Sequence, residues 1–239
     1  MLKFINTILL SFSLMSLSSF VSASLITNGS FEQLTFADSS TSIGTVFNTD
    51  LQAYKNKHQV WDVFYALPGW DTTYGNGIEL QKNVVSHSQN GSHHVELDSH
   101  PRGASNAVMT QTLNSLKVGA DYLLEFYYKP RTNSNNDNGI NVFWYDAAVD
   151  FDLDMNAAFV ADSTRSLTTD WTLQSVSFTA IKQTMNLSFG SFGQQNTLGG
   201  LVDNVSLEQV VTVPEPPMFI LLFTAITLLF VRQRKQVKL

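Results

Sequence analysis

Residues able to do chemistry cluster in a few short stretches of this 239-residue chain. In His94-Val95-Glu96-Leu97-Asp98-Ser99-His100 the polar side chains alternate with apolar ones. On a strand, His94, Glu96, Asp98 and His100 share one face, and Val95 and Leu97 take the other. Imidazole with carboxylate is a zinc donor set. Same-face neighbours on one strand are about 7 Å apart, however, so only adjacent pairs can share an ion without a second strand. A solvated polar face is the expected reading. Asp150, Asp152 and Asp154 alternate in the same way with Phe151 and Leu153. Paired carboxylates run glycoside hydrolysis, but no motif supplies an acid partner, and a charged loop or edge strand that blocks edge pairing accounts for these. There is no Gly-x-Ser-x-Gly, no cysteine and no phosphate-binding loop. The sequence points away from an enzyme, with a glycoside hydrolase as a distant alternative.

Ligand binding by stacking is the chemistry that remains. Sugars lay their apolar faces on aromatic rings while amides and arginine read their hydroxyls. The candidates are Tyr74, Arg131, Trp144 and Tyr145, with Trp70 as a further aromatic. Trp70 and Trp171 are expected in the core. Tyr74, next to Gly75 and close to Gly77, is expected in an exposed loop. Arg131 either clamps a ligand or pairs internally with Glu96 or Asp98.

The elements that must position these residues read as strands. Asp121 to Lys129 alternates Tyr122, Leu124, Phe126 and Tyr128 against Leu123, Glu125 and Tyr127. Trp171 to Thr179 alternates as cleanly, with Val176 and Phe178 on one side. Further strands are expected over Gln59–Trp70, Gly77–Leu80, His93–His100, Ala107–Leu113, Ile140–Tyr145, Met185–Phe192 and Leu201–Leu207. Asn28-Gly29, Pro68-Gly69, Asn90-Gly91 and Gly199-Gly200 punctuate them as turns. Asn28-Gly29 is expected to supply the positive φ of a tight turn. Helical periodicity is absent between the two ends, so the expected class is an all-β sandwich or barrel.

The ends differ from this middle. Lys3 followed by an apolar run to Phe20, then Val21-Ser22-Ala23, reads as a signal peptide. At the other end, Pro214-Glu215-Pro216-Pro217 precedes an apolar run from Met218 to Val231, then Arg232, Arg234 and Lys235. That run is short for a helical span, but snorkelling basic flanks extend it. Basic residues there are expected on the cytoplasmic side. The whole chain carries net charge −6. Five of its basic residues lie in these ends against one acidic residue, so the middle is more acidic still. Such a surface excludes nucleic acid as a partner. With no cysteine, packing must supply stability.

The carboxyl end closely resembles a PEP-CTERM sorting tail, on Val213, Pro214, Glu215, Pro216, the apolar run and Arg232, Arg234 and Lys235. The resemblance implies processing by an exosortase-type membrane protease. It also implies passage through the inner membrane of a Gram-negative bacterium, with a transient transmembrane helix, then a cell-surface or extracellular location. Pro217 and the loose basic cluster depart from the pattern.

A second resemblance spans nearly all the middle. It rests on Asn28-Gly29-Ser30-Phe31-Glu32, Leu67-Pro68-Gly69-Trp70, Val95-Glu96-Leu97-Asp98, Tyr127 to Arg131 and Asp203-Asn204-Val205. The stretch is similar to galactose-binding-like jelly-roll domains, including DUF642-type proteins and carbohydrate-binding modules. This implies an eight- or nine-stranded jelly-roll β-sandwich in which the opening and closing motifs lie side by side. It also implies one structural calcium on Glu32 and Asp203, and a glycan partner such as the cell's exopolysaccharide. The expected organisation is signal peptide 1–23, β-sandwich 24–208, spacer 209–213 and sorting tail 214–239. A purely adhesive matrix component without a small-ligand pocket is the alternative function.

Overall fold

A computed structural model describes residues 23–34, 60–100, 105–134, 136–162 and 170–211. The signal peptide up to Ser22, the sorting tail and the end of the spacer lie outside the described residues. Among the described residues, no helix is long and apolar enough to cross a membrane.

Twelve strands occur among the described residues. They are β1 (Trp61–Phe64), β2 (Ala66–Leu67), β3 (Trp70–Tyr74), β4 (Ile78–Lys82), β5 (His93–Glu96) and β6 (Val108–Leu113). The second half contributes β7 (Asp121–Lys129), β8 (Gly139–Asp146), β9 (Phe159–Ala161), β10 (Thr172–Thr179), β11 (Met185–Phe192) and β12 (Leu201–Gln209). Sheet A runs β1-β4-β5-β12-β7-β10, and sheet B runs β2-β3-β6-β11-β8-β9. The chain crosses repeatedly between them and every pairing is antiparallel, which makes an all-β jelly roll. It has more strands than the eight or nine implied by the resemblance. Tyr65 is exposed and breaks the expected Gln59–Trp70 strand, so β1 joins sheet A while β2 and β3 join sheet B.

The alternation read from the sequence sets the core. Tyr122, Leu124, Phe126 and Tyr128 of β7 are buried, as is Phe178 of β10. From sheet B they meet Met109, Ile140, Val142, Leu187 and Phe189. Phe126 and Phe189 cross edge-on with ring centroids 5.1 Å apart, a geometry that aromatic quadrupoles favour. Trp70 is 1% exposed and packs on Phe31 and Phe189.

The opening and closing motifs do lie side by side. Leu25 N–H donates to the Leu207 carbonyl at 2.8 Å, and Val205 N–H donates to the Gly29 carbonyl at 2.8 Å. Gly29 is required by closeness rather than by backbone angle, since a Cβ there would collide with the Val205 carbonyl. The positive φ falls on Asn28 (54°) and Phe31 (57°) instead. Asn28 bridges the two halves of this corner. Its Oδ1 accepts from Gln33 N–H, and its Nδ2 donates to the Pro68 carbonyl. In the closing motif, Asn204 takes φ 50° where the β12–β7 register shifts, so Asp203-Asn204-Val205 is a bulge.

Candidate functional site

Two surfaces outside the core carry polar chemistry: the outer face of sheet A over β4 and β5, which is sealed, and the outer face of sheet B, which is open.

On sheet A, register places Glu79 opposite Glu96 and Gln81 opposite His94. Val95 and Leu97 enter the core, so Glu96 and Asp98 point outward, as the alternation requires. That face is nevertheless buried, a correction to the solvated face expected for His94, Glu96 and Asp98. The cause is the loop before β12. Glu96 Oε1 accepts from Gly199 N–H at 2.7 Å, and Asp98 Oδ2 accepts from Leu198 N–H at 2.9 Å. Asp98 also accepts from Ser105 Oγ. Arg131 closes the cover, donating from Nη1 to Glu96 Oε2 at 2.6 Å and to the Thr197 carbonyl at 2.8 Å. Gln81 Nε2 spans the two acids, 2.8 Å from Glu79 and 2.5 Å from Glu96. His100 Nδ1 lies 2.8 Å from Glu79.

Burial first, then the charge of Glu79, pushes the Glu96 carboxyl up to about 8, against the pull of Arg131 and Gly199. Burial, then the charges of His93, Lys129 and Arg131, pushes His94 down to about 3, so it stays neutral. Two carboxylates with one raised pKa resemble an acid–base pair. Here they are 1% and 0% exposed and bonded into an internal lattice, so no substrate bond reaches them. Among the described residues, no cluster of three His, Asp or Glu groups is arranged to hold a metal.

Glu32 and Asp203 converge on the loop between β4 and β5. Glu32 Oε1 accepts from Ser92 and His93 N–H, both at 2.6 Å, and Oε2 lies 2.9 Å from His93 Nδ1. Asp203 Oδ2 accepts from Gln89 N–H at 2.7 Å and Asn90 N–H at 2.9 Å, and Oδ1 from Asn204 N–H. Burial raises Glu32, but His93 and the two N–H groups outweigh it and hold the carboxyl low. Burial, opposed by those N–H groups, pushes Asp203 up to about 7. Calcium needs six to eight oxygen donors. All four carboxylate oxygens here face N–H or O–H donors instead, so the donor set does not fit calcium. The two acids clamp a loop.

On sheet B, the outward residues of β8 are Asn141, Phe143 and Tyr145, and those of β11 include Gly190 and Phe192. Register sets Gly190 between Asn141 and Val108. A groove of about 230 Å³ runs over Val108, Gly190 and Phe143. Tyr74, Phe151, Leu153 and Phe192 wall it, and Asn106, Asn141, Ser191 and Gln195 supply its polar atoms. Tyr74 ends β3 beside the Thr72/Tyr74 register shift and is 45% exposed. Gly75 follows at φ 83°, where a Cβ would meet Ala107 Cα at 2.7 Å. The chain can therefore turn tightly and leave the ring on the sheet. Phe151 folds back from the β8–β9 connection onto Phe143, centroids 5.1 Å apart and edge-on. Asn106 is tied by Ser191 Oγ at 3.0 Å, whereas among the described residues no hydrogen bond engages the side-chain amides of Asn141 and Gln195.

The candidate ligand residues therefore separate. Tyr74 lines the groove. Trp144 faces the core side of β8, stacks on Phe178 at 5.6 Å and donates to the Thr179 carbonyl, so its ring is spent on packing. Tyr145 is on the groove's sheet face but only 7% exposed, bonded to Ser188 and next to Phe151. Arg131 is committed to Glu96. Asp150, Asp152 and Asp154 are exposed on the connection that carries Phe151 and Leu153. Sequence reasoning missed Phe143, Phe151, Phe192, Asn141 and Gln195. The alternation of β8 was a signal for the first face, but no local pattern announces that a loop folds back.

No curated protein matches the chain. Among solved structures it is similar to the enzymatically active domain of tailspike protein 4 from bacteriophage CBA120, at 13% identity and TM-score 0.42, over 78% of this chain and 21% of that one. It is similar to the arabinose-bound α-L-arabinofuranosidase MgGH51, at 14% identity and TM-score 0.45, over 82% and 28%. It is also similar to TmCBM61 in complex with β-1,4-galactotriose, at 16% identity and TM-score 0.40, over 79% and 100%. The chain thus spans about a quarter of the first two proteins. The DUF642 profile, described as a protein of unknown function, matches residues 24–208, and this chain belongs to the DUF642 family.

Proposed function

We propose that this chain is an exported, non-enzymatic carbohydrate-binding protein of the cell surface or extracellular matrix. The sheet B groove is its glycan site. The observation that carries this is the pairing of the exposed Tyr74 ring with the unoccupied amides of Asn141 and Gln195 over one apolar floor. An aromatic wall accepts the apolar face of a pyranose, and amides both donate to and accept from hydroxyls. The groove volume of about 230 Å³ suits one or two sugar rings. Its lining is aromatic and amide rather than carboxylate, which supports a binding role over hydrolysis.

A glycan array probed with wild-type and Tyr74→Ala protein tests this. Retention of a sugar family by the wild type and its loss in the variant are expected. Silence of folded wild-type protein would favour the adhesive alternative without a ligand pocket. Export rests on the two ends of the sequence: the signal peptide and the Pro214-Glu215-Pro216 tail that resembles exosortase substrates. In this reading Arg232, Arg234 and Lys235 hold the tail at the inner membrane until cleavage. Exported protein is expected to lack Met218–Leu239 by mass spectrometry, and an intact carboxyl end would contradict the sorting reading.

A further inference from the structure

Register sets four outward residues of sheet B in one row: Tyr74 on β3, Val108 on β6, Gly190 on β11 and Asn141 on β8. Neighbouring strands lie about 4.8 Å apart, so the row spans about 14 Å from the Tyr74 backbone to that of Asn141. Its middle is a notch. An added Cβ at Gly190 would stand 2.9 Å from Val108 Cγ2 and 3.4 Å from Phe143 Cε2. Gly190 takes no positive φ, so what the glycine supplies there is space rather than a backbone angle. Val108 and Phe143 are each 4% exposed, so the bottom of the notch is apolar and already shielded from water. The groove reaches the Gly190 backbone between them.

The polar groups beside the notch differ in freedom. Ser191 Oγ donates to the Leu97 carbonyl at 2.7 Å and to Asn106 Oδ1 at 3.0 Å, and Asn106 Nδ2 donates to the Gly193 carbonyl at 3.3 Å. Both side chains are thus fixed by the fold. Asn141, directly opposite Gly190, is half-buried, and among the described residues no hydrogen bond engages its side-chain amide. A sugar hydroxyl pressed onto Val108 and Phe143 gives up water and gains no partner. A methyl group placed there gains burial without that loss. The substituent that fits the whole notch therefore carries a methyl with an amide joined to it.

We propose that the groove selects acetamido sugars, a step that rests on the groove being a glycan site. The pyranose face stacks on Tyr74, the acetyl methyl enters the notch over Gly190, and the acetyl carbonyl accepts from Asn141 Nδ2. A sugar with a hydroxyl at the same position leaves the notch unfilled and Asn141 without that acceptor.

The test uses the exported protein and matched sugars that differ at one substituent: an N-acetylglucosamine tetramer against cellotetraose, and N-acetylgalactosamine against galactose. L-Rhamnose supplies a methyl without an amide. Affinities are read by titration calorimetry. One methyl in an apolar pocket discriminates by about tenfold, so the acetamido member of at least one pair should bind about tenfold more tightly than its partner. Gly190→Ala, shown to be folded by circular dichroism, fills the notch and should bring the two members of that pair close to equality. Asn141→Leu leaves the backbone alone and removes the donor, and should weaken the acetamido sugar by about fivefold. Tyr74→Ala should weaken both members. Equal affinities within both pairs, tighter binding of rhamnose than of either acetamido sugar, or a preference that survives undiminished in Asn141→Leu or in folded Gly190→Ala would overturn the acetamido assignment alone. Failure of folded protein to bind any probe, or binding that ignores Tyr74→Ala, would overturn the groove reading with it.

Discussion

Replacing Arg131 by methionine isolates what the sealed face of sheet A does. Methionine keeps much of the stem and removes the guanidinium. Three acceptor contacts go with it: Glu96 Oε1 at 2.8 Å, Glu96 Oε2 at 2.6 Å and the Thr197 carbonyl at 2.8 Å. Glu96 then keeps Gln81 and Gly199 as donors but is still 0% exposed, with Glu79 beside it at 1%. Above about pH 8, where Glu96 is ionised, stranding one member of the buried pair costs about 3–5 kcal/mol. For a domain of this length that lowers Tm by about 10 °C. The loss should depend on pH with a definite sign. The Glu96 pKa in the fold, about 8, is above its unfolded value, so the fold binds this proton more tightly than the unfolded chain. Its contribution is therefore greatest at low pH and declines as pH rises toward 8. Without Arg131 the folded pKa rises further, so the variant should lose less at about pH 5 than at about pH 9. Adding Glu96→Gln removes the stranded charge and should restore at least half of the loss. Thermal unfolding followed by circular dichroism at several pH values reads all three. A loss below about 1 kcal/mol, or one equal at both pH extremes, would refute the ion-pair account. Glycan binding by the folded variant should be unchanged, because Arg131 is not at the groove.

Other perturbations separate the remaining parts. Gly190→Ala puts a Cβ 2.9 Å from Val108 Cγ2 and 3.4 Å from Phe143; it should cost about 1–3 kcal/mol in denaturant unfolding and reduce glycan affinity by titration calorimetry. For the wild type, His94 is depressed to about 3, so its contribution rises with pH between about 3 and 6.5. Asp203 and Glu96 are raised to about 7 and about 8, so theirs fall as pH climbs to those values. Stability should thus decline from about pH 6.5 to 8, and a Tm that rises across that interval would contradict the assignment. Glu32→Ala removes the acceptor of Ser92 and His93 N–H and should speed hydrogen exchange at both amides, at a cost of about 2–3 kcal/mol. Since the oxygens of Glu32 and Asp203 are already engaged, millimolar calcium should leave Tm unchanged; a rise of several degrees would restore the cation site.

Much of the fold was legible because a half-buried strand writes its two faces into alternate residues. Asp121–Lys129 was read with its observed bounds, and Val176 and Phe178 of β10 point inward as their spacing requires. β9 has three residues and no such pattern, and Tyr65 breaks a run that looks continuous. Site residues were harder to read. Alternation showed that Glu96 and Asp98 leave the core, but whether that face meets water depends on a loop about 100 residues later. Trp144 looks like a sugar platform until register shows that it shares the inward side of β8 with Ile140 and Val142. Glu32 and Asp203 do meet at one corner, yet what they bind is set by the N–H groups of residues 89–93. Those directions are tertiary facts that spacing does not encode.

The central claim is that the outer face of sheet B is where a glycan sits. Nitrogen-edited NMR of the side-chain amides of Asn106, Asn141 and Gln195 tests it directly, during titration with the glycan retained best on the array. The account predicts saturable shifts at these amides and at the Gly190 backbone N–H, with the Arg131 and Gln81 signals unmoved. Shifts confined to the neighbourhood of Trp61 and Trp171 on sheet A, or binding without any shift at Asn141, would contradict it.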